Sequence, residues 1–189
     1  AALRSILRSD PDVVLLGEIR DHETAQIAVE AALTGHLVLS TLHTNDAPSA
    51  VTRLTEMGIE PFLVGSALDC VVAQRLARKL CGKCKEPYFP DPAELRAARY
   101  PWQEGEEIPE LHRPVGCSSC SGTGYRGRIA LHEVMEINEE IERHAVANSS
   151  SADIAASAKA NGMITLRDDG WEKVGMGLTS MEEILRVVV

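Results

Sequence analysis

Short apolar runs alternate with helical apolar stripes along the first third of the chain. Val13-Val14-Leu15-Leu16 is a continuous apolar run after Asp10-Pro11-Asp12, a pattern that predicts a buried strand. From about His22 to Thr34 the apolar positions Ala25, Ala28, Val29, Ala32 and Leu33 share one helical face. Asp21 is placed to cap that helix and Gly35 to end it. Leu37 to Leu42 reads as a second buried strand, and Pro48 to Met57 as a helix with Gly58 just past its end. Strand, helix, strand, helix in this order predicts an α/β fold with a parallel sheet covered by helices.

The stretch from Leu68 to Leu80 is apolar with Gln74, Arg75, Arg78 and Lys79 interleaved, and fits a helix or a strand. The pattern breaks at Cys81. Residues 81–127 are rich in Pro, Gly, Cys and charge and poor in core residues, so this insertion is expected to be stapled rather than cored. Arg128 to Ile137 alternates enough to be a strand. Helices are expected over about 138–147, 151–160, 165–176 and 180–188, separated by Asn148-Ser149-Ser150, Gly162 and Gly177. The expected segments are therefore 1–80, 81–127 and 128–189. At the start, Leu3, Ile6 and Leu7 have the spacing of a helix already in progress, which predicts that the chain is cut from something longer.

Composition narrows the class. The 189 residues carry 19 basic and 28 acidic side chains, a net charge of −9. An acidic chain is poorly suited to non-specific nucleic-acid binding, which sets cations against phosphate; direct nucleic-acid binding is not expected. A local basic patch exists all the same, formed by Arg75, Arg78, Lys79, Lys83 and Lys85. Aromatics make up only 4% of residues, so the core is aliphatic. No apolar run approaches the roughly 20 residues of a membrane span, and the start has no signal-peptide pattern. With paired rather than dense cysteines, the chain reads as cytosolic and reduced.

Four of the five cysteines form two Cys-x-x-Cys pairs, Cys81/Cys84 and Cys117/Cys120, and Cys70 is left over. Two residues between thiolates allow a tight knuckle, and two knuckles make a closed tetrahedral site of four sulfurs. Such a site has no open position for substrate, so a structural Zn2+ is the expected occupant. A redox dithiol, two disulfides and unligated thiols are the rivals; two pairs rather than one favour zinc. Cys117-Ser-Ser-Cys120-Ser-Gly122-Thr-Gly124 is also similar to one repeat of the zinc domain of DnaJ-type chaperones, a likeness of knuckle geometry.

Glu18 follows the first strand and Gly17. A carboxylate at the carboxyl end of a parallel strand sits where open α/β folds bind ligands, and in phosphate-transfer enzymes it holds Mg2+ or orients water. A solvated acid paired with Arg20 is the plainer alternative. His36 and His43 bracket the second strand, and His43, ending it, should lie beside Glu18. Each could instead be a capping or core histidine. No Gly-x-x-x-x-Gly-Lys-Ser/Thr occurs: Gly82-Lys83 is followed by Cys84. The backbone cradle for β- and γ-phosphates is therefore not in this chain.

Longer motifs add a resemblance. The run from Leu7 to Asp21, containing Val13-Val14-Leu15-Leu16-Gly17-Glu18-Ile19-Arg20, resembles the signature of the type II secretion and type IV pilus assembly ATPases, with Glu18 at the acidic position of their Walker B segment. Thr34-Gly35-His36 through His43-Thr44-Asn45-Asp46-Ala47 resembles their His box. Ala73-Gln74-Arg75-Leu76, Gly124-Tyr125-Arg126-Gly127-Arg128 leading to Glu133, and Gly162-Met163-Ile164-Thr165-Leu166 with Asp169-Gly170 and Glu182-Glu183 are similar as well. The likeness covers nearly the whole chain except about 88–112. Ala130-Leu131-His132 departs from it, a variation in packing.

The resemblance implies a RecA-like parallel sheet, partly present, with a tetracysteine zinc insertion and a C-terminal helical module. It implies a homo-hexameric motor using ATP and Mg2+, cytoplasmic and peripheral at the inner membrane, that acts on a platform protein and the pilus or secretion machinery. In that frame Glu18 organises Mg2+ and water, and His36 and His43 couple the γ-phosphate to the sheet. Arg20 is expected to pair with a neighbouring acid, and the phosphate loop to lie upstream. The cysteine pairs imply the assembly and secretion branch, because the retraction motors lack them. The basic knuckle from Lys79 to Lys85 is expected on the surface, where it could meet the platform protein. A zinc-stapled interaction module with no enzymatic role is the alternative, and it gives Glu18 and His43 no purpose.

Overall fold

Parallel pairing of two short strands sets the first part of the fold. In the computed structural model, which describes Ser9 and residues 11–188, β1 (Val13–Leu15) pairs with β2 (Leu37–Leu39) in the register Val13 to Leu37. The helix expected from Leu3, Ile6 and Leu7 lies outside the described residues. Between the strands runs α1 (His22–Leu33). Asp21 caps it, accepting from the Thr24 backbone N–H at 2.9 Å and the Thr24 hydroxyl at 3.0 Å. These bonds hold its carboxyl below the usual range. Gly35, at φ +98°, turns the chain out of the helix. α2 (Pro48–Glu56) and α3 (Pro61–Ala67) follow, each with proline in its first turn.

The two strands were expected to be buried. Val14 is, but Val13 and Leu15 on one strand and Leu37 and Leu39 on the other are exposed. A continuous aliphatic run suggests cover on both faces; among the described residues, only the Val14 side of this pair is covered.

The ambiguous stretch before the cysteines is a strand, β3 (Cys70–Leu80), which pairs with β6 (Tyr125–Glu136). Between them the cysteine-rich stretch contains β4 (Glu86–Tyr88), α4 (Pro92–Ala98) and β5 (Leu111–Arg113). β4 and β5 pair antiparallel, Pro87 opposite His112. The expectation that this stretch is stapled and not cored needs amending. Leu95 and Leu111 are wholly buried, and Trp171 meets Tyr100 edge-on at 5.5 Å between ring centroids. Two leucines spaced among charges form no periodic stripe, so the pattern hid them.

Four helices close the chain: α5 (Glu139–Val146), α6 (Ser151–Ala160), α7 (Leu166–Gly175) and α8 (Met181–Val187). Each starts on a side-chain cap. Asn138 accepts from the Ile141 N–H, Ser150 from Asp153, Thr165 from Asp168 and Ser180 from Glu183. By packing, the chain forms two units. The first comprises 1–73 and 134–163, the second 74–133 and 164–189, so α5 and α6 belong to the first and α7 and α8 to the second. In the first unit α3 packs on α5, and α2 on α6.

One buried acid organises the second unit. The Glu183 carboxylate has no solvent exposure. It accepts from the Arg78 backbone N–H and Nε, both at 2.8 Å, and from Arg186 Nε at 2.9 Å. The Arg78 guanidinium also lies 4.1 Å from the Tyr125 ring centre, and the Tyr125 hydroxyl bonds Ser180 at 2.6 Å. Burial pushes the carboxyl up, but the bonds from Arg186 and Arg78 outweigh it and hold Glu183 at about 2. A carboxyl lowered on folding stabilises the protein above its unfolded value of 4.5, and that contribution is lost as pH falls toward about 2. Glu183→Gln is expected to cost about 1.5 to 3 kcal/mol in urea unfolding, because it removes the charge-assisted bonds from the half-exposed Arg78 and Arg186. The variant's stability should also vary less between pH 4.5 and 2 than that of the native chain.

Candidate functional site

The segment after β1 is tied to the segment after β2. Leu16 N–H donates to Leu39 O at 2.8 Å, the Thr41 hydroxyl to Gly17 O at 2.7 Å, and Ile19 N–H to Thr41 O at 2.9 Å. Backbone bonds on both sides of Glu18 thus fix where its side chain starts. His43 Nε2 lies 3.0 Å from Glu18 Oε2, the proximity expected of two residues that follow neighbouring parallel strands, although β2 ends at Leu39 and not at Leu42 as the sequence suggested. Arg20 Nε reaches the same oxygen at 2.6 Å. The pairing of Arg20 with a neighbouring acid was expected; its convergence with His43 on one atom was not, because spacing alone does not choose between two carboxylate oxygens.

The bond from Arg20, and after it the bond from His43, holds the Glu18 carboxyl below its usual range. Glu18 is therefore an anion, suited to hold a cation or orient water and poorly suited to accept a proton. Since a carboxylate only accepts, the bond requires the Nε2–H form of His43. All three side chains meet solvent, Glu18 at 34%, Arg20 at 70% and His43 at 81% exposure. Ion pairs this exposed contribute little to stability, so the carboxylate can exchange partners at little cost.

His36 is not part of this cluster. It lies just beyond α1, with Nδ1 3.0 Å from Ala31 O and 3.2 Å from the Thr34 hydroxyl. Its buried Nε2 has no hydrogen-bond partner among the described residues.

The second cluster is the cysteine set. The Sγ atoms of Cys81, Cys84, Cys117 and Cys120 all lie within 4.8 Å of one another, and all four thiols are free. Cys84 to Cys120 and Cys117 to Cys120 are 3.8 Å apart, and Cys81 to Cys117 4.0 Å. A tetrahedral ion with metal–sulfur bonds of about 2.3 Å places its sulfurs about 3.8 Å apart, so the set fits one such ion. Backbone N–H groups of Cys117 and Gly124 each donate to Cys120 Sγ at 3.2 Å, and that of Gly116 to Cys84 Sγ at 3.3 Å. Burial opposes ionisation of Cys120, but its N–H donors bring it down to about 6. At Cys84 burial prevails and takes the thiol up to about 11. A coordinated cation would deprotonate both.

Two glycines make the knuckles possible. A Cβ on Gly116 would stand 2.5 Å from Gly122 O, and one on Gly124 2.4 Å from Pro114 Cβ. Both have positive φ, +114° and +74°. The expected basic knuckle is only partly free. Lys85 Nζ donates to Gly177 O at 2.7 Å and Arg78 is held by Glu183, whereas Lys79 and Lys83 are exposed.

With both clusters placed, comparison with known proteins decides the lineage. A model of the family "Type II/IV secretion system protein" matches residues 1–186. The chain belongs to this family. It is 51% identical over 185 residues to the type IV pilus assembly ATPase PilB of Thermus thermophilus, a match covering 97% of this chain and 21% of the relative. It is 53% identical to the type II secretion system protein E of Pectobacterium carotovorum, covering 98% of this chain and 36% of that protein. The chain thus spans about a fifth to about a third of the length of these relatives. Among solved structures, the pilus retraction motor PilT with bound ADP superposes with a TM-score of 0.67 at 25% identity, covering 98% of this chain and 42% of that one. The Legionella pneumophila ATPase DotB superposes at 0.63 and 20% identity, covering 97% and 40%. The mixed α/β fold is therefore that of these family ATPases. No described helix is long and apolar enough to cross a membrane.

The cysteine geometry has a direct test. Protein purified without chelator is expected to carry one metal ion per chain by elemental analysis. Its four clustered thiols should react with a thiol reagent only after a strong chelator has removed the ion.

Proposed function

We propose that this chain is the later part of a hexameric motor ATPase that powers type IV pilus assembly or type II secretion. The observation that carries the reading is the 51% and 53% identity, over nearly the whole chain, to a pilus assembly ATPase and a type II secretion protein E. The paired Glu18 and His43 in the segments just after two parallel strands support it, because an interaction module has no use for them. In this reading β1 and β2 belong to a RecA-like sheet whose remainder, with the phosphate loop, lies elsewhere in the longer protein.

The roles follow from the chemistry. Glu18, already ionised, holds hydrated Mg2+ and orients water. His43 donates to it and, being exposed and able to turn, senses the γ-phosphate. His36, with one buried unpartnered nitrogen, couples α1 to β2. Bound MgATP supplies the phosphoryl group. Cys81, Cys84, Cys117 and Cys120 hold one structural Zn2+, and the exposed Lys79 and Lys83 face the platform protein at the inner membrane, where the motor sits peripherally on the cytoplasmic side.

Two measurements test this. In the whole protein, Glu18→Gln is expected to lower kcat for ATP hydrolysis at least about a hundredfold with the hexamer intact; unchanged turnover would return the interaction-module reading. The 189-residue chain alone contains no phosphate loop, so calorimetry should detect no ATP binding at micromolar concentrations.

A further inference from the structure

Arg20 is the residue that this site leaves unexplained. Its side chain is 70% exposed, yet its Nε lies 2.6 Å from Glu18 Oε2, the oxygen that His43 Nε2 also reaches at 3.0 Å. Both contacts land on Oε2, and among the described residues no hydrogen bond to Oε1 is present. The backbone on each side of Glu18 is tied to the segment after β2, at Leu16 and at Ile19. What remains free in Glu18 is its side-chain rotation, and the two donors fix that.

We propose that Arg20 is a positioning residue that grips Glu18 by Oε2 and so leaves Oε1 as the oxygen offered to hydrated Mg2+. The inference rests on the reading of Glu18 given above. It goes beyond that reading by dividing labour between the two donors. A guanidinium is cationic at every working pH, so its pull on Oε2 persists even though the exposed pair is weak. His43 holds the same oxygen at the longer distance of 3.0 Å and is the more exposed of the two, which suits it to the part that moves. Arg20 is also too exposed for its ion pair to matter to folding, so stability gives no reason for the contact. The direction of the charge matters as well. A cation fixed beside Glu18 competes with Mg2+ for the same carboxylate, so Arg20 does not tighten metal binding; it orients.

The test compares Arg20→Ala, Arg20→Gln and Arg20→Lys with Glu18→Gln in the whole hexameric protein. Activity is read as kcat and KM for ATP, and metal affinity as Mn2+ binding by electron paramagnetic resonance with a non-hydrolysable ATP analogue. Arg20→Ala and Arg20→Gln are expected to lower kcat roughly ten- to hundredfold, the cost of a misplaced group. Neither should raise KM or weaken Mn2+ binding, and Arg20→Lys should recover most of the loss. Glu18→Gln should lower kcat and weaken Mn2+ together. If Glu18→Gln behaves so while the Arg20 variants turn over normally, the Arg20 proposal alone is overturned. A raised KM with unchanged kcat in Arg20→Ala would place the guanidinium on the nucleotide and overturn it too. If Glu18→Gln changes neither readout, the reading of the site fails and this proposal with it.

Discussion

The second unit is organised around a carboxylate that water does not reach. A buried Glu183 without partners would cost several kcal/mol, so its two arginines have to be where they are. Arg78 belongs to β3, three residues before Cys81, and Arg186 to the same helix as Glu183. Tyr125, under the Arg78 guanidinium, opens β6 next to Gly124. Ser180, which bonds Tyr125, also caps the helix that carries Glu183. The strand ends that lead into and out of the cysteine-rich stretch are thus gathered by a single anion. The knuckles sit immediately beyond, and Cys81 N–H bonds Gly124 O at 2.9 Å. The ionic joint and the cysteine knuckles thus hold the same two strand ends, one just before the other along the chain.

The first unit spends its charges differently. Glu18, Arg20 and His43 form an ion-pair cluster of the same kinds of group, but in water. Burial makes the Glu183 cluster rigid and costly to disturb, while exposure leaves the Glu18 cluster open to exchange. That contrast sets a buried, fixed cluster in one unit against an exposed, exchangeable one in the other.

The strands β1, β2 and β6, most helices and the cysteine cluster were legible in the sequence because each rests on local chemistry, whereas β3 was left open between helix and strand and β4 and β5 carry no such signal. Asp21, Ser150 and Ser180 are caps, Pro48 and Gly35 are punctuation, and two Cys-x-x-Cys pairs allow few arrangements. The proximity of Glu18 and His43 was legible because residues following adjacent parallel strands must share an edge. What stayed hidden depends on contacts distant in sequence. α3 is one short Pro-Phe-Leu-Val-Gly-Ser-Ala helix of about two turns, without periodicity. Leu95 and Leu111 pack a small core inside a stretch whose composition looks coreless. Glu183 reads as one more acid in a helix start, and nothing local reveals that Arg78, 105 positions away, draws it inside. Lys85 was grouped with exposed lysines although Gly177 O takes its ammonium.

The one-sided pair of β1 and β2 has a practical consequence. Val13, Leu15, Leu37 and Leu39 stand exposed on two adjacent strands, and β-branched and leucine side chains on an uncovered sheet are adhesive. Handled by itself, this chain should behave as a colloid problem before it behaves as a folding problem. Its solubility will be set by protein concentration, salt and detergent acting on that face, while the helices and cysteine knuckles stay intact.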